Sequence, residues 1–241
     1  MMRRIACLAL LALCTVTAQE QPLQVGLAEI DITPPVGYRM DGYFTERLAT
    51  GQKDPLKAKA LVFQQGATRA ALVVCDLLGM PLSMSREVRA LASARTGIPA
   101  SNIAVAATHS HTGPLFAGER ARIFSEQAAA KYGKDPLAAV NYPDTLRDKL
   151  VEVIAQASAR VAPVALELAR TEDDRLSFNR RFHLKDGTVR FNPGVLNPEI
   201  VRPAGPIDPD LPFLLFTKDK KPLGSLSVFA LHLDTVGGTE D

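Results

Sequence analysis

A strand, a helix and a second strand follow one another in the middle of the chain, and this order constrains the fold most. Arg69–Cys75 and Ile103–Ala107 are apolar runs of strand length. The segment between them predicts a helix that opens at Pro81 and ends at Gly97. Such a unit favours a right-handed crossover between two parallel strands. We therefore predict an α/β fold of mixed β-sheets with flanking helices, which contains this parallel strand–helix–strand crossover.

The rest of the chain predicts further strands and one more helix. These are strands at Val25–Ile30 and Leu56–Gln64, a helix at Asp144–Val161, a strand at Val164–Ala169, a hairpin of Phe178–Leu184 with Thr188–Asn192, and a last strand pair of Leu211–Thr217 with Leu223–Leu233. Leu146, Leu150, Val153, Ile154 and Ala157 form the apolar stripe expected on the helix. Residues 193–212 carry six prolines and predict a long ordered loop.

Histidines and an aspartate follow the strand ends. Asp76 comes directly after the first strand of the crossover, and His109 comes shortly after the second. Parallel strands end at the same edge of a sheet, where sites of α/β proteins form, so we expect Asp76 beside His109. In an extended chain His109 and His111 would point to the same side. His232 ends another apolar run, and neutral imidazole is a common metal ligand, so the histidines suggest a metal site.

Each of these residues also has a purely structural interpretation. His109 and His111 would satisfy the turn before Pro114, and a lone histidine such as His232 is more often hydrogen-bonded than metal-bound. His183 lies in the middle of the predicted hairpin and is assigned a structural role. Arg180 and Arg181 would face opposite sides of a strand, so one of them would pack while the other contacts a carbonyl or carboxylate.

The first residues are typical of an export signal. A basic start is followed by an apolar run and by small residues, which predicts a signal peptide at residues 1–18, cut after Ala18. Cys14 keeps a lipoprotein alternative open. We expect a secreted or periplasmic protein. Cleavage removes two arginines and no acids, so the net charge of +2 falls to zero, which argues against a nucleic-acid partner. Cys75 would then be the one remaining cysteine, a buried and inert thiol.

Several stretches, in order, resemble the N-terminal catalytic domain of the neutral/alkaline ceramidases. They are Val25-Gly-Leu-Ala-Glu-Ile-Asp-Ile-Thr-Pro34, Met40-Asp-Gly-Tyr43, Val73-Val-Cys-Asp-Leu-Leu-Gly-Met80, Ala107-Thr-His-Ser-His-Thr-Gly-Pro114, Phe178-Asn-Arg-Arg181 and Phe229-Ala-Leu-His232. The block from His109 to Pro114 is the most specific of them. The resemblance covers most of residues 23–238.

The resemblance implies roles for individual residues. His109 and His232 would bind Zn²⁺, while His111 would lie beside the substrate and Arg180 would contact its amide. Asp76 completes the catalytic residues that we expect. The family's other zinc ligands, a glutamate and a tyrosine, and a serine near the scissile bond come later than this sequence reaches. Residues 19–241 are therefore expected to be an incomplete N-terminal part of the catalytic domain, inactive or weakly active by itself.

The resemblance implies zinc-assisted hydrolysis of the N-acyl amide of ceramide-like lipids, with a lipid or other N-acyl amide as the partner. Such substrates would bring the protein into contact with a membrane surface. The same scaffold could instead cleave another linear amide or an ester. An exported binding protein without catalysis is the alternative from another class.

Overall fold

The computed structural model describes residues 21–233, and the predicted signal peptide lies outside this range. The described residues form three α-helices, which are α1 (Leu82–Thr96), α2 (Gly118–Tyr132) and α3 (Tyr142–Ala159). They also form thirteen strands, in chain order β1 (Gln24–Asp31), β2 (Arg39–Met40), β3 (Arg47–Leu48), β4 (Lys57–Gln65), β5 (Thr68–Cys75), β6 (Ile103–Ala107), β7 (Ala162–Pro163), β8 (Ala165–Glu172), β9 (Arg181–Leu184), β10 (Val189–Phe191), β11 (Ile200–Pro203), β12 (Asp210–Lys218) and β13 (Lys221–Ser227).

A five-stranded mixed sheet forms the centre, with strand order β6-β5-β4-β1-β7. β5 and β6 are parallel, α1 lies between them in the sequence, and the other pairs of this sheet are antiparallel. The α/β prediction with mixed sheets and flanking helices is therefore confirmed. None of the helices among the described residues combines the length and apolarity needed to cross a bilayer.

Both faces of the central sheet are covered, so successive residues of β4 are buried on opposite sides. Ala58, Ala60 and Val62 of β4 face α3 in the main core, while Leu61 of β4 faces the other way. On that second side Phe216 of β12 packs against the sheet, and its side chain is fully buried. The predicted apolar stripe of α3 is buried along its whole length.

Two smaller three-stranded sheets follow, with orders β13-β12-β8 and β10-β9-β11. The predicted hairpin is confirmed as the antiparallel pair of β9 and β10. The long loop predicted for residues 193–212 is wrong in part, because Ile200–Pro203 pairs with β9 as an edge strand and β12 already begins at Asp210. An edge strand tolerates proline because its outer side makes no ladder hydrogen bonds.

The strand predicted to reach Leu233 ends earlier, so His232 is not at a strand end. β13 stops at Ser227, which lies opposite Phe213 of β12. The next residue of β12 in that direction is Pro212, which has no N–H with which to continue the ladder. Residues 228–233 consequently run without regular secondary structure.

Candidate metal centre

Three of the four histidines of the chain meet at one point. The ring centroids of His109, His111 and His232 lie 4.7 to 5.0 Å apart, and each pair of rings is inclined by 74 to 80°. One nitrogen of each ring can be chosen so that all three lie within 4.8 Å of one another. The three rings are inclined rather than stacked, and three imidazole nitrogens this close together could hold a metal ion.

A backbone carbonyl sets the tautomer of His109. Its Nδ1 atom lies 2.8 Å from the oxygen of Leu78. A carbonyl oxygen only accepts hydrogen bonds, so Nδ1 carries the proton and donates it, and the lone pair of the neutral ring is on Nε2. A metal-binding histidine commonly donates its second ring N–H to a carbonyl or carboxylate in this way.

His109 reaches the cluster through a turn. We predicted that His109 and His111 would share a side of an extended chain, but His109 has a positive φ of 65°, in the left-handed region. The chain nevertheless continues beside β5, because Thr108 N–H donates to Cys75 O and Ser110 N–H donates to Leu77 O. Backbone strain at a non-glycine residue is often found at functional sites. The two histidines thus converge through a strained turn rather than through strand alternation.

Asp76 is hydrogen-bonded to Thr108, the residue that precedes this turn. Its Oδ2 accepts the backbone N–H of Lys57 at 2.9 Å, and its Oδ1 accepts the hydroxyl of Thr108 at 3.3 Å. The crossover therefore brings Asp76 beside the residue that precedes His109. The contacts of Asp76 hold the strand ends together, and its role in catalysis stays a prediction.

The predicted residues of the hairpin lie in another sheet. The guanidinium carbon of Arg180 is 4.9 Å from the centre of the Phe191 ring, and the backbone oxygen of Arg180 accepts Asn192 N–H at 2.8 Å. His183 lies in β9 opposite Val189, as its structural assignment predicts. These contacts anchor Arg180 to the hairpin, and its role toward a substrate stays a prediction.

The loop between β2 and β3 forms one wall of the histidine cluster. Gly42 has a φ of 99°, and a Cβ atom there would lie 2.7 Å from Cγ of His111. The Tyr43 ring meets the His111 ring edge-on at 5.7 Å, and the Arg47 guanidinium lies 3.7 Å from the centre of the Tyr43 ring. Sequence reasoning matched residues 40–43 to the family but missed Arg47. Nothing in the local sequence around Arg47, six residues after Asp41, indicates that it would contact His111.

A second arginine holds the same loop from α2. Arg120 Nη2 donates to Asp41 Oδ1 at 2.7 Å, and its Nη1 donates to the oxygen of Tyr43 at 3.4 Å. Asp41 N–H in turn donates to Gly113 O, just after His111. The segments 40–43 and 109–114, which both carry the family resemblance, are therefore bonded to each other.

The comparison with protein families shows which family the chain belongs to. The model of the neutral/alkaline non-lysosomal ceramidase N-terminal domain matches residues 23–240. The chain belongs to this ceramidase family. Its fold is similar to that of the neutral ceramidase from Pseudomonas aeruginosa, with 25% identity, a TM-score of 0.61, and coverage of 87% of this chain and 32% of that protein.

A second similar structure is a ceramidase complexed with C2, with 26% identity, a TM-score of 0.58, and coverage of 86% of this chain and 31% of that one. The chain thus spans about a third of the length of these ceramidases. No curated protein sequence matches it significantly.

The histidine cluster of this ceramidase-family domain fits a zinc ion in its chemistry. Tetrahedral zinc with bonds of about 2.0–2.1 Å places its donors about 3.4 Å apart. The nitrogens of the three imidazoles all lie within 4.8 Å of one another, at most about 1.4 Å more than that spacing. The Leu78 carbonyl already orients one donor. The part of the chain that the structure describes therefore contains a set of nitrogen ligands suited to a transition metal.

A pocket of about 380 Å³ opens beside His109. Its lining is mostly apolar and consists of Leu78, Gly79, Met80, Pro81, Phe116 and Ala117, with His109 and Asp41 as the polar members. An apolar cavity with a few polar groups at one end is typical of a small-molecule site. The pocket places an apolar surface directly next to the metal-binding candidate.

Buried ionisable groups elsewhere in the domain have structural roles. Cys75 is fully buried, and this burial raises the pKa of its thiol to about 12, with a further contribution from the carboxylate of Asp76. The predicted burial of Cys75 is therefore confirmed, while its inertness stays a prediction. The side chain of Arg39 is buried, and its guanidinium donates two hydrogen bonds to Asp135 and one to Glu46. The bond to Arg39 is the main reason that the pKa of Asp135 falls to about 2.

Proposed function

We propose that this chain forms part of a zinc-dependent amidohydrolase that cleaves the N-acyl amide of ceramide-like lipids into a sphingoid base and a fatty acid. The observation that carries the proposal is the histidine cluster, with His109 oriented by the Leu78 carbonyl, in a domain of the ceramidase family. The similarity to a ceramidase complexed with C2 supports the choice of substrate class.

His109 and His232 are the proposed zinc ligands. His109 would use Nε2, because its Nδ1 hydrogen is bonded to Leu78. When bound, zinc would act as a Lewis acid that polarises the amide carbonyl and acidifies water. Asp76 supports this arrangement by holding Thr108, the neighbour of His109.

His111 is the proposed proton donor to the leaving amine. Its ring lies within 5.0 Å, centre to centre, of both proposed ligands, so a substrate bound at the zinc would be within its reach. A histidine is suited to this task because its ordinary pKa lies near neutral pH. Arg180 is proposed to contact the amide region of the substrate, as the family resemblance implies.

The pocket beside His109 is proposed to receive one apolar chain of the substrate. Its apolar lining, including Met80 and Phe116, suits methylene groups, and His109 places the amide end at the metal. We further propose that the protein is exported by residues 1–18 and works at a membrane surface, where such lipids reside.

Calorimetric zinc titration tests the metal centre. The wild-type chain is expected to bind about one zinc ion. His109→Ala is expected to weaken binding at least about a hundredfold, since even mutations around a ligand cost 10–100-fold. His183→Ala, which removes the histidine of the distant hairpin, is the matched control and is expected to bind zinc like the wild type. Equal binding by wild type and His109→Ala would overturn the proposal.

Hydrolysis is measured with the same three proteins as fatty-acid release from a short-chain N-acylsphingosine. Catalytic zinc usually has three protein ligands, and two are assigned here, so we expect a low rate from the 241-residue chain. Any turnover is expected to require zinc and to vanish in His109→Ala. Turnover that persists without zinc would contradict the mechanism.

A further inference from the structure

Arg47 joins two segments of chain at the histidine cluster. It lies in β3 opposite Met40 of β2, and Met40 also forms a bridge with Pro114. The three segments thus form a narrow ladder. Across this ladder a single nitrogen of Arg47, Nη2, donates to the oxygen of His111 at 2.8 Å and to the oxygen of Asp41 at 3.0 Å.

The same guanidinium also acts on the ring of His111 through Tyr43. Its carbon lies 3.7 Å from the centre of the Tyr43 ring, which is a cation–π distance. Tyr43 then meets the His111 ring edge-on, at 86°. Arg47 is therefore connected to both the backbone and the side chain of one histidine.

Gly42 makes this arrangement close-fitting. Its Cα leaves no space for a side chain, because an added Cβ would lie 2.8 Å from both Cα and Cβ of His111. The loop and the histidine therefore pack without a gap, and a displacement of one is transmitted to the other. Arg120 fixes the far side of the loop through Asp41 and Tyr43.

We infer that Arg47 is a positioning residue that fixes His111 within the histidine cluster. One nitrogen of its guanidinium group donates two hydrogen bonds, and the flat face of the group stacks on Tyr43. The ammonium group of lysine does not reproduce this combination. The role assigned to His111 in proton transfer rests on the proposed function. The fixing of its ring by Arg47 is a property of the domain even without metal.

Imidazole NMR of the ¹⁵N-histidine-labelled chain tests this inference, because four histidines give four resolvable ring patterns. Arg47→Ala is expected to shift or broaden the ring signals of His111 in the metal-free protein, while those of His183 stay unchanged. Addition of zinc is expected to change the His111 signals in the wild type, and in the variant this change is expected to shrink by half or more. Arg47→Lys, which keeps the charge, is the second variant and is expected to show the same changes more weakly.

Arg69→Lys is the matched control. Arg69 is another partly buried arginine, which donates to Thr96 O at 3.0 Å and to Ser158 Oγ at 2.6 Å, far along the sheet from the histidines. The substitution weakens these hydrogen bonds, so it is expected to lower the stability of the fold without moving the His111 signals. Unchanged His111 signals in both Arg47 variants, or equal changes in Arg69→Lys, would overturn the inference. Failure of zinc binding would instead count against the proposed function, since the metal-free signals are read independently.

Discussion

The Nδ1 atom of His109 lies 2.8 Å from the backbone oxygen of Leu78, three residues beyond the end of β5. The two residues meet because β5 and β6 are parallel and end at the same edge of the sheet. The contact fixes which nitrogen of His109 faces the other histidines. The topology of the sheet thereby determines the tautomer of a proposed zinc ligand.

Substituting His232 and His111 one at a time is expected to distinguish a zinc ligand from a residue that contacts the substrate. His232→Ala should lower zinc affinity at least about a hundredfold, because it removes a proposed ligand. His111→Ala should leave zinc affinity within about tenfold and abolish the zinc-dependent release of fatty acid. Calorimetry and the hydrolysis assay measure the two effects. If His111→Ala lost zinc as completely as His232→Ala, His111 would be a third ligand rather than a proton donor.

Gly42→Ala is expected to destabilise the domain and to displace His111. The new Cβ would meet His111 at 2.7 Å, and the backbone has a φ of 99° that alanine adopts at a cost of about 1–2 kcal/mol. Overpacking should add about 1–3 kcal/mol. Gly37→Ala is the control, since Gly37 has a φ of 88° with no atom near its added Cβ. Urea unfolding measures both variants, and equal losses would show that the contact with His111 adds no cost.

Acid should weaken the fold through Asp135. Arg39 lowers the pKa of this carboxyl from an ordinary 3.8 to about 2, so the folded state favours the charged form. The resulting stabilisation, about 2 kcal/mol, is nearly complete at pH 4 and is mostly lost by pH 2. Urea unfolding at several pH values should show this loss in the wild type. In Asp135→Asn the loss between pH 4 and pH 2 should be smaller by that amount, and an equal loss would contradict the assignment.

Filling the pocket beside His109 is expected to weaken substrate binding without affecting the metal. Met80→Trp would place a large ring among the lining residues, while Leu82→Trp would add the same ring on an exposed position of α1. Binding of a short-chain N-acylsphingosine should weaken at least about tenfold in the first variant only. Zinc affinity should stay the same in both. Unimpaired lipid binding by Met80→Trp would mean that the acyl or sphingoid chain lies elsewhere.

Elements with strong local patterns were predictable from the sequence. The bounds of β6 agree with the prediction because an uninterrupted apolar run fills them, and α3 has a full buried stripe. The helix α2 was missed because it buries little beyond Phe124 and Ala128 and begins at a glycine. The edge strand Ile200–Pro203 was missed because its proline indicates a loop unless the pairing partner is known.

For the site, the sequence predicted the members of the cluster but not how they meet. Topology placed Asp76 near His109, and the family resemblance indicated His232. The left-handed turn at His109 and the contacts of Arg47 with His111 depend on chain segments far apart in sequence, and local patterns carry no information about them. The sequence therefore indicated the three histidines that meet, while tertiary packing determines their orientation and adds Arg47 beside them.

The position of His232 outside any strand has a consequence for local order. Residues 228–233 make no ladder hydrogen bonds, while His109 is built onto the central sheet. One ion shared by both histidines would cross-link positions that about half the chain separates, so metal loading and the anchoring of this segment become a single equilibrium. A chelator that removes the ion would then release residues 228–233 while the central sheet stays folded.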